Sequence, residues 1–141
     1  MKNSIYVGSN SSSSVVVNGV VPLTTIVHRE NGNNSSEINL IGNAVTIETG
    51  CRCRPRYNID AKITFTGATA GNATLSVYKN GIQIPLALAS ETITTPTTEV
   101  RTVTIPCGTL TDKCTTNVYT IVNTGDIAIT VTNVSMNVVE Q

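Results

Sequence analysis

The sequence predicts an all-β domain, and three observations carry that prediction. From Tyr57 to Phe65 the chain alternates strictly: Tyr57, Ile59, Ala61, Ile63 and Phe65 share one parity, and Asn58, Asp60, Lys62 and Thr64 share the other. That is the period of a strand with one buried face. Further on, Leu75-Ser-Val-Tyr-Lys79 and Ile82-Gln-Ile84 flank Asn80-Gly81, the dipeptide that supplies both positive φ angles of a type I′ hairpin turn. In the simplest register Lys79 faces Ile82 and Val77 faces Ile84, with Leu75, Val77, Ile82 and Ile84 on one side. Finally, no segment keeps a 3.6-residue period over a helical length, and Thr, which is β-branched, occurs 23 times.

Read in order, Ile5 to Val7 is a short apolar segment, and the Gly/Ser/Asn stretch 8–14 is a flexible joint. Val15 to Val21 is an apolar run with its own Asn18-Gly19 turn, so residues 1–21 are expected as an N-terminal arm or anchor. The body is then 22–141. Pro22 to Glu30 reads as its first strand, 30–36 as a loop, and Ile38 to Glu48 as two short strands broken at Gly42-Asn43. Leu86-Ala-Leu-Ala89 is too short for a helix between Pro85 and the Thr-rich stretch 92–98. Glu99 to Ile105 is a strand that Pro106 is expected to end. Asn117 to Val122 is another, followed by an Asn123–Asp126 turn. Ile127, Ile129 and Val131 alternate in one parity, whereas Val134, Met136 and Val138 alternate in the other; the slip predicts a bulge at Thr132-Asn133.

Composition narrows the function classes. Charged residues are 13% of the chain and the formal net charge is zero. Such a surface offers no field for nucleic acid and suits a subunit that associates. No apolar run reaches the roughly 18 residues of a membrane-spanning helix. The N-terminus lacks the apolar stretch of a signal peptide, so synthesis in a cytoplasm is expected.

Four cysteines form the one reactive cluster: Cys51 and Cys53 before the Tyr57 strand, and Cys107 and Cys114 after Ile105. Three readings stay open. Disulfides joining Cys51 or Cys53 to Cys107 or Cys114, or Cys107 to Cys114, would staple a long loop. A four-thiolate zinc site is the second, although Cys-x-Cys and Cys-x₆-Cys depart from the usual knuckle spacing. Free thiols are the third. A cysteine nucleophile lacks a base, because His28 is the sole histidine and reads as a strand residue near a loop. Arg52, Arg54 and Arg56 alternate beside the cysteines as guards of a strand edge. Glu48, Asp60, Asp112 and Asp126 show no paired-carboxylate or calcium-loop spacing. The expectation is a non-catalytic protein without a cofactor.

The ordered set of an aromatic-led strand, a strand–Lys79-Asn80-Gly81–strand hairpin and a final strand pair from Asp126 to Val139 resembles the C1q/TNF-like jelly roll. The resemblance extends over roughly residues 22–139. Within that family the Met1-Lys2-x-Ser4-x-Tyr6 start, the Ile38-Asn-Leu-x-Gly42-Asn-Ala-Val-Thr46 stretch and the paired cysteines are most similar to small capsid-associated proteins of Firmicutes phages. C-terminal domains of exosporium fibre proteins come next. The resemblance implies a jelly-roll sandwich of about ten antiparallel strands and a homotrimer around a threefold axis. Apolar residues in both parities (Tyr119 with Ile121, Val118 with Val122) call for such a partner surface. The implied role is a capsid decoration or head-fibre protein of a virion, assembled in the host cytoplasm and bound to the major capsid or another virion protein. The alternative is a surface-display module that binds a host glycan or receptor.

Overall fold

The computed structural model describes residues 2–32, 36–52 and 54–141. Eleven strands occur among them: β1 Ser4–Ser9, β2 Ser13–Val15, β3 Thr25–Glu30, β4 Ser36–Ile41, β5 Ala44–Thr49, β6 Arg56–Gly67, β7 Gly71–Lys79, β8 Ile82–Ile93, β9 Val100–Leu110, β10 Thr116–Asn123 and β11 Ile129–Glu140. They form two antiparallel sheets. One runs β3-β1-β11-β6-β9, with β2 also on β11; the other runs β4-β5-β10-β7-β8.

The alternation in β6 becomes the spine of the first sheet. Tyr57, Ile59, Ala61, Ile63 and Phe65 are buried, and the strand is paired along its whole length with β11 on one side and β9 on the other. Ile38, Val45, Ile47, Leu75, Val77, Tyr119 and Ile121 of the second sheet close over them. With one Phe in the chain, the core is built from aliphatic side chains, each worth about 1.5–3 kcal/mol when fully buried. The expected bulge in β11 is present, the register to β6 shifting between Val131 and Asn133.

The expected arm or anchor over 1–21 is, in its described residues 2–21, part of the sandwich. β1 is hydrogen-bonded to β11 on one side and β3 on the other, and Ile5 and Val7 are fully buried. β1 and β2 lie end to end along β11, so most of the Gly/Ser stretch is sheet rather than joint. The chain then crosses to the second sheet: Asn18 turns at φ 67, Val20 pairs with Val122, and the Val21 amide donates to the Ile121 carbonyl at 2.8 Å. This segment continues the sheet where β5 ends. It runs beside Val122, whose side chain is already buried within the single chain. Buried Asn123 fixes the crossing, its Nδ2 donating to the carbonyls of Val15 (3.2 Å), Val16 (3.3 Å) and Ile127 (3.0 Å). The composition favours flexibility, and pairing with residues 130–135 of β11 overrides it.

Other boundaries move for stated reasons. The expected Pro22–Glu30 strand begins only at Thr25. β9 runs through Pro106 to Leu110 because it is an edge strand, with one side unpaired, where a missing N–H costs nothing. The hairpin turn forms as expected, with Asn80 at φ 52, Gly81 at φ 81 and Lys79 opposite Ile82. Val77 and Ile84 do not pair, however. The register passes from Tyr78↔Gln83 to Ser76↔Leu88, so residues 84–87 bulge opposite Val77 alone. Gly125 allows the β10–β11 turn to lie against β7, since a Cβ there would sit 2.5 Å from the Thr74 amide nitrogen.

Candidate association surfaces

The two sheets meet at two edges: β3 lies beside β4, and β8 beside β9 at the far side. Each edge exposes apolar side chains. At the β8 edge the bulge drives Leu86 outward: it is 93% exposed and held at φ 64, with Ile82 (74% exposed) and Leu88 beside it. A left-handed backbone costs a leucine about 1–2 kcal/mol. Beneath this strip a groove of about 430 Å³ opens between the hairpin and the end of β9, lined by Lys79, Ile82, Ile84, Pro85, Leu110 and Asp112 among others.

At the opposite edge every residue of β3 is exposed, including Ile26 and Val27 (65%), with Ile41 of β4 and Tyr6 of β1 nearby. On the outer face of β3-β1-β11 lies a hollow of about 220 Å³, lined by Tyr6, Gly8, Thr25, Val27, Asn133 and Val134 among others. Gly8 stands opposite Ser135, two of the smallest residues, and a Cβ on Gly8 would strike the Val134 carbonyl. None of the side chains lining the hollow is charged.

Cys51 and Cys114 lie at one end of the second sheet, and Cys107 on the neighbouring edge strand. A disulfide joins Cys51 to Cys114 across a Cα–Cα distance of 4.5 Å. It extends the β5–β10 ladder, whose last rungs are the Thr49 amide to Thr115 carbonyl bond (3.0 Å) and the Cys114 amide to Gly50 carbonyl bond (3.1 Å). Cys107 is a free, half-buried thiol on β9 opposite Ile59. Burial, and secondarily the charge of Asp60, push that thiol up to about 11, which leaves it protonated and unreactive at neutral pH. Cys53 lies outside the described residues. Cys107 is therefore not a disulfide partner, and two of the four sulfurs counted towards zinc belong to the cystine. Among the described residues no group of three or more His, Cys, Asp or Glu side chains is placed to hold a metal.

Several other polar residues make contacts that hold loops and strand ends. Asp112 pairs with Lys79 (3.2 Å) and Arg54 (3.5 Å), and Lys79 also donates to the Leu110 carbonyl at 2.6 Å. Arg54 thus ties the cystine loop, while Arg52 and His28 are exposed. Arg56 opens β6 opposite Leu110. Asp126 accepts the Asn72 amide at 2.9 Å. Glu99 organises the loop after β8: it accepts the Thr94 and Thr95 amides at 3.0 Å each and pairs with Arg101. Those backbone donors, with Arg101 adding to them, hold its carboxyl down at about 2. Buried Asn3 joins β1 to β4 and β6, its Nδ2 donating to the Ser36 carbonyl (3.0 Å) and the Tyr57 hydroxyl (3.2 Å). The edge patches were missed in the sequence, apart from the apolar character of 82–88, because exposure depends on which strands end each sheet.

No protein-family model and no curated protein matches this sequence. Solved structures do match the fold. Eiger TNF from S. frugiperda superposes with a TM-score of 0.68 at 8% identity, covering 99% of this chain and 92% of that one. Murine APRIL at pH 5.0 gives 0.65 at 10% identity over the whole of both chains. The globular domain of zebrafish complement 1qA gives 0.57 at 11% identity, over 96% of this chain and 94% of that one. The fold is the TNF/C1q jelly roll. At such identities the likeness establishes the architecture and nothing about ligands. Within this jelly roll, Ser4–Ser9 and Ser13–Val15 supply strands, and the two exposed apolar edges lie at opposite ends of both sheets.

Proposed function

We propose that this protein is a non-catalytic structural subunit that assembles as a homotrimer and serves as a decoration or head-fibre protein on a bacteriophage capsid. The observation that carries the assembly is the pair of different apolar patches at opposite edges of one sandwich. Different patches that bind each other make a head-to-tail contact, and such a contact closes into a ring when the rotation fits. Three copies is the number implied by the C1q/TNF-like resemblance of the Tyr57–Ile84 segment. Support for the virion role is the sequence similarity of residues 1–6 and 38–46 to small phage capsid-associated proteins. A neutral, Thr-rich surface with few charges also suits a shell component.

The chemistry of the surface gives an enzyme little to work with. The half-buried thiol is held protonated, the sole histidine sits on an exposed edge strand, and Asp112, Asp126 and Glu99 are engaged in loop and ion-pair contacts. The capsid contact would gain from three-fold avidity, so each single contact can be weak. Mass spectrometry of purified particles tests the virion assignment. The reading expects the chain in stoichiometric amount with the major capsid protein; its absence from particles whose genome encodes it would refute that role.

A further inference from the structure

We infer that Asn80 is a self-modifying site, whose side-chain amide is lost through a cyclic imide in the native protein ahead of the other Asn-Gly pairs. Three such pairs occur: Asn18-Gly19, Asn31-Gly32 and Asn80-Gly81. A glycine after asparagine has no side chain to shield its backbone nitrogen, so all three start from the same local chemistry. The fold separates them. The Gly19 amide donates to the Val16 carbonyl at 2.8 Å, and the Gly32 amide donates to Asn3 Oδ1 at 2.8 Å. Asn31 is held further by its own Oδ1, which accepts the Ile38 amide at 2.8 Å. The Gly81 amide has no partner among the described residues. In a two-residue hairpin loop the flanking residues, here Lys79 and Ile82, make the ladder contacts, and the N–H of the second loop residue is left to water.

The reaction consumes only water. The Gly81 nitrogen gives its proton to hydroxide and attacks Cγ of Asn80. A new N–Cγ bond forms, and the Cγ–Nδ2 bond breaks as ammonia leaves with a proton from water. Water then opens the imide at either carbonyl, leaving aspartate or its β-linked isomer at position 80. Nothing is oxidised or reduced. Three features favour the reaction here. Asn80, Gly81 and Ile82 are exposed, and a Cβ built on Gly81 would meet nothing within 4 Å, so the turn can rotate into the attacking geometry without displacing packed side chains. Asn80 Oδ1 accepts the Val118 amide at 2.8 Å, a donor that stabilises the negative charge growing on that oxygen as the tetrahedral intermediate forms. The leaving nitrogen, Nδ2, makes no hydrogen bond among the described residues.

Either product places a new carboxylate beside Lys79 on the groove under the hairpin, in a chain whose formal net charge is zero. The β-linked isomer also inserts a methylene into the backbone of a two-residue loop. The bond from the Asn80 amide to the Val118 carbonyl (2.8 Å) and the Lys79↔Ile82 register then cannot both be kept. Charge and shape at this one turn therefore change with the age of the molecule.

Peptide mapping by mass spectrometry tests this on the full-length protein aged at mildly alkaline pH, with each Asn-Gly pair followed separately. In the native protein Asn80 should convert roughly tenfold faster than Asn18 and Asn31, the factor for one amide hydrogen bond that has to open before attack. In concentrated urea with a reductant, where no fold protects the other two, the three rates should converge. The Asn80→Asp variant supplies the acidic form directly, and aged wild type should develop a peak at its position on anion exchange. Equal native rates at the three pairs, or a native Asn80 slower than Asn18 or Asn31, would overturn the assignment. So would an Asn80 that stays intact in the native protein over the time in which it converts fully in urea.

Discussion

Removing the cystine should weaken the protein without unfolding it. The perturbation is Cys51→Ala with Cys114→Ala, with Cys107 left in place. The bridge spans 63 residues of sequence, and the loop-entropy relation for that span gives about 4 kcal/mol of stabilisation through the unfolded chain. That figure is an upper value, because β5 and β10 remain paired from Thr116↔Glu48 to Tyr119↔Val45 without it. Native disulfides typically deliver about 2–5 kcal/mol, so a loss of about 2–4 kcal/mol is expected. With a urea slope of about 2 kcal/mol/M, the midpoint should fall by roughly 1–2 M. Equilibrium urea unfolding followed by circular dichroism at one fixed protein concentration reads this directly, and fixing concentration removes the contribution of assembly. Adding a reductant to wild type should reproduce the shift, and adding it to the double variant should change nothing. A midpoint unchanged within error would refute the argument, as would an equal loss from Cys107→Ser.

Three further outcomes follow from single groups. Asn123→Ala leaves the Val15, Val16 and Ile127 carbonyls without their donor, and should cost about 2–3 kcal/mol in the same unfolding assay; a loss under about 0.5 kcal/mol would contradict the crossing described. The Glu99 carboxyl is depressed from 4.5 to about 2, so its contribution to stability is complete above about 4.5 and is lost as pH falls through about 2. The amide resonances of Thr94 and Thr95 should therefore titrate with a midpoint near 2, and a midpoint near 4.5 would show that the loop contacts are absent in solution. Cys107, raised to about 11 and half-buried, should resist iodoacetamide at pH 8 in a Cys53→Ser variant until denaturant is added; rapid labelling of the native protein would contradict its placement.

What could be read in advance follows the reach of each signal. The β6 alternation, the Asn80-Gly81 turn and the β11 parity slip are local, set by pleat and turn geometry, and all three appear in the structure. The position of residues 1–21 is not local. Gly8, Ser9, Ser13 and Ser14 have weak preferences, and only pairing with β11, over a hundred residues later, makes them sheet. Likewise Pro106 reads as a stop until β9 is known to be an edge, and the 84–87 bulge is invisible because Ile84 and Leu86 both fit an alternating pattern. The cystine partner also required the fold: four cysteines leave the pairing open, and it is the end of the β5–β10 ladder that brings Cys51 to Cys114. The association patches depend on strand order more than on any motif, which is why neither Leu86 nor Gly8 stands out in the sequence.

The central claim is that this jelly roll assembles with copies of itself through its two edges. Multi-angle light scattering on the purified protein, from sub-micromolar to tens of micromolar, tests it most directly. The account predicts a particle of about three times the 14.9 kDa chain mass at the upper end, burying more than about 2,000 Å² per interface as obligate contacts do. The Leu86→Gly variant should dissociate at concentrations where wild type does not. A stable, folded particle of 14.9 kDa across that whole range would contradict it.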